Sequence, residues 1–227
     1  MGLPDPPAAT FLGSLSDADR AGLLQAGRIA RWTRGELLVR AGDPAVSAIV
    51  LTVGVVKIQK LTGHGEEVVL GISGPGDLLG EIAAVRDAPR SASAVALESV
   101  TGVVVAVTAL RRFLLQHPST TLALLDLSLR RLHAADERRL EFATRTTLTR
   151  VASRLVELTD RFGETGRDGA IDVALAINQE ELASWSASSL ESTARALRTL
   201  RQLGAIETRR LRLIVRDPEL LRAQARA

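Results

Sequence analysis

Hydrophobic and polar positions follow three rhythms along the chain. From about Arg31 to Val107, short apolar runs stand between glycines: GELLVR, SAIVLTVG, VVKIQKL, EEVVLGI, SASAVAL and TGVVVAV. Runs of this length, rich in valine and isoleucine and bounded by turn residues, predict strands. Strands at such spacing predict a small sandwich or barrel. Gly35, Gly42, Gly54, Gly63, Gly65 and the Gly74-Pro75-Gly76 triplet supply the turns. One segment, DLLGEIAAVRDAP, is too long and alanine-rich for a strand and carries a short helical pattern. Ahead of the strands, LSDADRAGLLQAG predicts a short helix. Ser16 is its N-cap, Asp19 takes the capping-box position, and Gly27 is its stop.

Near Pro118 the rhythm turns helical for about 25 residues. Pro118 suits a first helical position. Leu122, Leu125, Leu129 and Leu132 recur at three- and four-residue spacing, and the seam continues to Asp136 and Arg139. Such a seam on a connecting helix predicts a two-stranded coiled coil and hence a homodimer; the alternative is one helix packed on its own domain. Beyond it, TLTRVASRLVELTDRF is amphipathic, with Leu148, Val151, Ala152, Leu155 and Leu158 on one side. GETGRDGA reads as a polar turn and AIDVALAI as a strand. NQEELASW and SLESTARALRTLRQLG read as two short helices, and AIETRRLRLIVRD as a β-hairpin.

Those two helices carry the first chemistry. Asn178 caps one, with Glu181 at its N3 position; Ser188 or Ser189 caps the other, and Gly204 ends it. On the second helix Thr193, Ala196, Leu197, Leu200 and Leu203 form the buried stripe, while Leu190, Glu191, Ala194, Arg195 and Arg198 lie opposite. A short helix, a tight turn and a second helix presenting arginines is the helix-turn-helix arrangement, whose partner is double-stranded DNA. Arginine donates twice to guanine, and glutamate accepts from cytosine. The hairpin is then a wing, with Arg209, Arg210 and Arg212 directed at phosphates. The alternative is a solvated face with an i,i+4 pair between Glu191 and Arg195.

Composition narrows the classes. The 227 residues are 46% hydrophobic and 24% charged, ordinary for a globular chain. No apolar stretch is long enough for a membrane span, and MGLPDPPAAT has neither region of a secretory signal, so a cytoplasmic protein without membrane contact is expected. The absence of cysteine excludes disulfides, thiolate nucleophiles, thiolate zinc sites and cysteine-ligated clusters. Three dispersed histidines, His64, His117 and His133, do not make the clustered metal set of a cupin-type enzyme. The absence of tyrosine argues against a stacking platform for single strands. The net charge of +3 is unevenly placed: residues 1–117 hold 11 basic and 11 acidic side chains, residues 118–227 hold 18 and 15. The excess thus falls on the half bearing the two helices.

A second constellation lies in the irregular segment. Gly80-Glu81-Ile82 is followed, nine residues after Glu81, by Arg90-Ser91-Ala92. A helix N-terminus offers N–H groups, Arg90 a bidentate cation, Ser91 a hydroxyl, and Glu81 an acceptor for a ribose hydroxyl, together a phosphate cassette. The alternative is a surface Glu–Arg salt bridge.

Gly80-Glu81 with Arg90-Ser91-Ala92, the earlier Gly35, Gly42-Asp43 and Gly54, and the ungapped helix-turn-helix from Ile177 to Leu200 resemble the cyclic-AMP receptor protein/FNR (Crp/Fnr) family of bacterial transcription regulators. The resemblance spans residues 11–220. It implies an α+β fold: a β-roll (jelly-roll-like) nucleotide-binding domain over 11–117, a dimerisation helix over 118–143 and a winged helix-turn-helix over 144–220. It implies a regulator rather than an enzyme, with no required cofactor, a cyclic nucleotide such as cAMP as effector, and DNA, a second copy and RNA polymerase as partners. Gly80, Glu81, Ile82, Arg90 and Ser91 would form the pocket, with Glu81 on the ribose 2′-hydroxyl and Arg90 and Ser91 on the cyclic phosphate. Ser188, Ser189, Leu190, Glu191, Arg195 and Arg198 would meet DNA. Ala135 and Asp136 stand where cAMP responders place a polar pair against adenine, so only Asp136 can accept from an exocyclic amine. Leu190 replaces a guanine-reading arginine, Ala187 stands where glycine is common, and Trp185 and Ser186 replace aliphatics. The alternatives are a family member that ignores cAMP and a nucleotide-sensing module acting on protein partners. A cluster-based oxygen sensor of the same family is excluded by the missing cysteines.

Overall fold

The computed structural model describes residues 6–86, 88–166, 168–174, 177–209 and 212–227. It forms two compact units, Met1–Ala134 and Ala135–Ala227.

The first unit opens with helix α1 (Asp17–Gln25), where the Ser16 hydroxyl accepts the Asp19 N–H as expected. α1 ends at Gln25 with Ala26 as its C-cap, so it stops just before Gly27 as expected, but Gly27 is not left-handed. A Cβ on Gly27 would lie 2.7 Å from the Val104 carbonyl oxygen, so the residue is small because the chain there presses on a strand. Eight strands follow: β1 (Arg28–Trp32), β2 (Leu37–Val39), β3 (Ser47–Val53), β4 (Val56–Leu61), β5 (Glu67–Ser73), β6 (Leu78–Leu79), β7 (Ser93–Ala96) and β8 (Val100–Ala106). They pair antiparallel in two sheets, β1-β8-β3-β6 and β2-β7-β4-β5. Every predicted run contains a strand. β1 and β6 are additions, and the irregular segment holds β6 before its one-turn helix α2 (Ile82–Val85).

The near-continuous apolar run of β3 is explained by burial on both faces. Ile49 and Leu51 point between the sheets with Val56, Leu79, Ala96 and Val100. Ala48 and Val50 point the other way, into a second core with Phe11, Leu23, Leu110 and Phe113. That second core includes α3 (Val107–Gln116), a helix the sequence reading did not contain, because its first valine continues the apolar run of β8. Helix α4 (Pro118–Thr144) begins where Pro118 predicts. Leu124 and Leu127 enter the core, whereas Leu122, Leu125, Leu129 and Leu132 stand 54–66% exposed. At the α3–α4 corner the buried Asp19 carboxylate accepts Ser119 Oγ at 2.9 Å and His117 Nδ1 at 2.6 Å. These two hydrogen bonds hold its pKa below the usual carboxylate value.

The second unit contains the end of α4, then α5 (Thr147–Phe162), β9 (Glu164–Thr165), β10 (Ile171–Val173), α6 (Gln179–Trp185), α7 (Leu190–Gln202), β11 (Ile206–Arg209), β12 (Arg212–Val215) and α8 (Pro218–Arg226). Its sheet runs β11-β12-β10-β9, all antiparallel. α5 packs on α6, α7 and α8 through the predicted Val151, Ala152, Leu155 and Leu158. α8 was not expected, although Asp217 caps it and Pro218 opens it. The strand predicted over AIDVALAI is β10, and its Leu175 and Ala176 lie outside the described residues, as does Arg210.

Candidate functional site

Gly80 is the hinge of the first constellation. It sits between β6 and α2 with φ +77°, left-handed geometry that a side chain resists, and a Cβ there would fall 2.0 Å from Arg90 Nη1. The absent side chain therefore lets the Arg90 guanidinium lie against the backbone. Arg90 is held at both ends. Its N–H donates to the Asp43 carbonyl and its carbonyl accepts from Gly42 N, each at 2.9 Å. Its Nη2 donates to the Ser47 carbonyl at 2.6 Å and to Ser47 Oγ at 3.2 Å. Nη1 is buried and has no partner. Burial lowers the guanidinium pKa, and the Asp43 and Glu81 carboxylates oppose that shift. A buried N–H donor without an acceptor is costly.

The alternative, a Glu81–Arg90 salt bridge, does not form. Glu81 is buried and its Oε1 instead accepts Arg131 Nη1 at 2.5 Å, while Arg131 Nη2 donates to the Leu78 carbonyl at 2.8 Å. Arg131 was missed by the sequence reading. Its signal was present: Thr120, Leu124, Leu127 and Arg131 share one four-three-four stripe on α4, whose first three members are buried. Ile82 and Ser91 border the site with exposed side chains. The helix N-terminus expected at Glu81 is a single turn, and the Glu81 side chain makes no cap. Asp136 belongs to the second unit, where it pairs with Arg139 at 3.0 Å on an exposed face of α4.

The second constellation is a helix-turn-helix. Asn178 and Glu181 form a complete capping box on α6. The helix ends in a Schellman arrangement, with Ser188 N donating to the Ala183 carbonyl at 3.0 Å and Ala187 N to the Ser184 carbonyl at 3.1 Å. That motif needs a left-handed residue, and Ala187 supplies it with φ +48°. An L-residue there costs about 1–2 kcal/mol. Ser189, rather than Ser188, caps α7 by accepting from Ser192 N; Ser188 Oγ hydrogen-bonds Thr193 Oγ1 at 2.9 Å.

On α7, Thr193, Ala196, Leu197 and Leu200 are buried as expected, but Leu203 is exposed, because the helix ends at Gln202 and the chain turns at Gly204. Leu190, Glu191, Arg195 and Arg198 face outward. Glu191 and Arg195 form the i,i+4 pair at 2.7 Å. In the hairpin Arg209 and Arg212 are both exposed, Arg209 paired with Glu207 at 3.5 Å and Arg212 with Asp172 at 2.5 Å. Trp185 and Ser186 are both buried, with Trp185 Nε1 and Ser186 Oγ unpartnered. The Arg154 guanidinium lies 5.6 Å from the Trp185 ring centroid and pairs with Glu141 at 2.6 Å. Among the described residues no group of histidines and carboxylates could hold a metal ion, and no helix is long and apolar enough to cross a membrane.

Each constellation lies in a segment that matches a known domain. A cyclic nucleotide-binding domain matches residues 29–117 and a Crp-like helix-turn-helix domain matches residues 149–224. The chain is 31% identical, over 193 residues, to the CRP-like cAMP-activated global transcriptional regulator of Mycobacterium tuberculosis, covering 85% of this chain and 86% of the relative. FixK2 from Bradyrhizobium japonicum shares the fold at TM-score 0.78 and 20% identity, over 88% of this chain and 98% of that one. The c-di-GMP responsive global regulator CLP of Xanthomonas campestris shares it at TM-score 0.76 and 18% identity, over 88% and 99%. With a nucleotide-binding β-roll, a long helix and a DNA-binding helix-turn-helix in this order, the chain belongs to the Crp/Fnr family of transcription regulators.

Proposed function

We propose that the chain is a cytoplasmic, homodimeric transcription regulator whose effector is a cyclic nucleotide, cAMP in the first place. The observation that carries the effector reading is Arg90 Nη1, a buried donor with no partner, set against the bare backbone of Gly80. A cyclic phosphate would supply the acceptor that this donor lacks, and Ser91, exposed and next in the chain, would add a hydroxyl. Glu81, oriented by Arg131, accepts the ribose hydroxyl, and Gly80 and Ile82 form the surrounding turn. The Leu122–Leu132 seam joins two copies, as its exposure favours. Ligand binding shifts a population of seam geometries and so re-aims two recognition helices at half-sites about one DNA turn apart. At each half-site Ser188, Ser189 and the exposed arginines meet phosphates and base edges, and Leu190 meets a thymine methyl. RNA polymerase is the further partner of such a regulator.

A second reading has its own support. Ala135 offers no side-chain hydrogen bond to a base. Its place favours a family member that answers a nucleotide other than cAMP. Titration calorimetry with cAMP, cGMP and cyclic di-GMP decides between the readings. Heat with cAMP alone supports the first, heat with another nucleotide supports the second, and none at millimolar ligand ends both. Selection of DNA sites with and without cAMP is expected to enrich a palindrome, and a single unpaired half-site bound by a monomer overturns the dimer.

A further inference from the structure

We propose that Arg150 is a positioning residue for DNA reading: it fixes the aim of α7 by pinning the helix-turn-helix turn to the α4–α5 joint. The guanidinium spends its donors on three backbone carbonyls. Nε donates to Ser186 O at 2.8 Å, Nη2 to Ala187 O at 3.1 Å and Nη1 to Arg145 O at 2.7 Å. The first two carbonyls belong to the turn, and the third to the residue that follows α4. The same guanidinium lies 5.6 Å from the centroid of Phe142, on the last turns of α4. No carboxylate pairs with Arg150 among the described residues, so its charge is committed to carbonyl dipoles at a point where two elements must be held together.

The position of these carbonyls gives the clamp its function. Ser186 and Ala187 are the residues through which α6 passes to α7, and Ala187 holds the strained left-handed conformation. A strained residue keeps its conformation only when its surroundings over-determine it. Arginine suits the task because its donors form a rigid planar fork that a lysine cannot reproduce. The joint is itself anchored: Arg145 Nη1 donates to Glu141 at 3.3 Å and to the Ala225 carbonyl of α8 at 3.1 Å. Loss of the fork frees the turn to relax, and α7 then meets the groove at a spread of angles. Contacts to base edges suffer most, because they demand the tightest geometry, while phosphate contacts tolerate the spread.

The inference rests on the DNA-reading role of α7, so the test starts with site selection by the full-length protein. Failure to enrich any site overturns that role before Arg150 is altered. On the enriched site and a scrambled duplex, affinities are then measured over a range of salt for Arg150→Gln, Arg150→Lys and the pair Arg150→Gln with Ala187→Gly. Arg150→Gln is expected to weaken the enriched site about tenfold, the size of one lost base contact. The scrambled duplex stays within about twofold and the salt slope is unchanged. Arg150→Lys gives an intermediate, equally selective loss, and Ala187→Gly restores part of the affinity by making the turn conformation easier to hold. Equal losses on both duplexes with a salt slope shallower by about one identify a phosphate contact and overturn the proposal. Equal losses accompanied by earlier urea unfolding identify a role in folding alone, with the same consequence. If Arg150→Gln does not fold, Arg150→Lys decides by the ratio of its two affinities, an unchanged ratio overturning the clamp.

Discussion

Two glutamate–arginine pairs have almost the same length and opposite surroundings. Glu81–Arg131 closes at 2.5 Å and Glu191–Arg195 at 2.7 Å. The Glu81 side chain is 11% exposed and that of Arg131 37%, against 83% and 69% for the second pair. The first joins residues far apart in the chain and is steadied by the Leu78 carbonyl. The second spans one turn of α7 and meets water on every side. Distance is therefore a poor guide to what a pair does. A sheltered pair is a fixed feature on which a ligand can be oriented, and breaking it strands a buried carboxylate. An exposed pair can part without stranding a buried charge, which leaves both side chains free to turn to a partner.

The largest effect is expected beside the sheltered pair. Arg90→Gln removes the unpartnered donor together with its charge. A charge-assisted hydrogen bond is worth roughly 1.5–3 kcal/mol, so nucleotide affinity should fall about 10- to 100-fold by calorimetry, with the circular dichroism spectrum unchanged. Unchanged affinity would remove the pocket from the comparison altogether. Next in size is the pair itself. A double-mutant cycle of Glu81→Gln and Arg131→Gln, read by nucleotide affinity, should give a coupling of about 1 kcal/mol that changes little with salt. The exposure of Arg131 keeps the figure below that of a fully buried pair. A coupling that vanishes in salt makes the two pairs equivalent.

The contrast extends to the backbone. Both constellations hold a left-handed residue, Gly80 in the first and Ala187 in the helix-turn-helix turn. Ala187→Gly exchanges about 1–2 kcal/mol of strain for the roughly 0.5–1 kcal/mol by which glycine loosens the unfolded chain. The second unit should gain about 0.5–1 kcal/mol in urea unfolding. Gly80→Ala should do the reverse, and weaken the nucleotide too. Equal effects of both exchanges would show that φ alone does not separate the two sites.

Much of this molecule is written in side-chain periodicity. The β3 and β8 runs, the α4 seam and the capping box of α6 are repeated side-chain choices, and each appears where the pattern puts it. β1 was hidden because it is an edge strand carrying Arg28 and Arg31 on exposed positions, which breaks the apolar alternation. α3 was hidden by the valines it shares with β8. The Gly80-Glu81 and Arg90 motif is legible because glycine, glutamate and arginine are distinctive at that spacing. Its internal wiring is not: the partner of Glu81 comes from another element, and the shortest bond of Arg90 goes to the backbone carbonyl of Ser47, which carries no residue identity. Arg150 is the extreme case, since all three of its acceptors are carbonyls and carry no residue identity.

The smallest expected effect lies in the exposed pair, and it tests the comparison from its weak side. Glu191 and Arg195 are i,i+4 neighbours with the acid N-terminal, the favourable order, and Glu191 also sits in the first turn of α7 near the positive end of the helix dipole. A cycle of Glu191→Gln and Arg195→Gln, read by urea unfolding, should give a coupling of only about 0.3–0.5 kcal/mol that disappears in high salt. The same substitutions should act strongly and separately on DNA. Arg195→Gln is expected to cost about 1–3 kcal/mol on the selected site and to relax preference at one base pair. Glu191→Gln should shift preference at a neighbouring pair without changing the salt slope. A stability coupling above 1 kcal/mol would mean that the pair is structural and α7 is not free to read, whereas a negligible one paired with large losses on DNA is what two side chains held in reserve for the groove require.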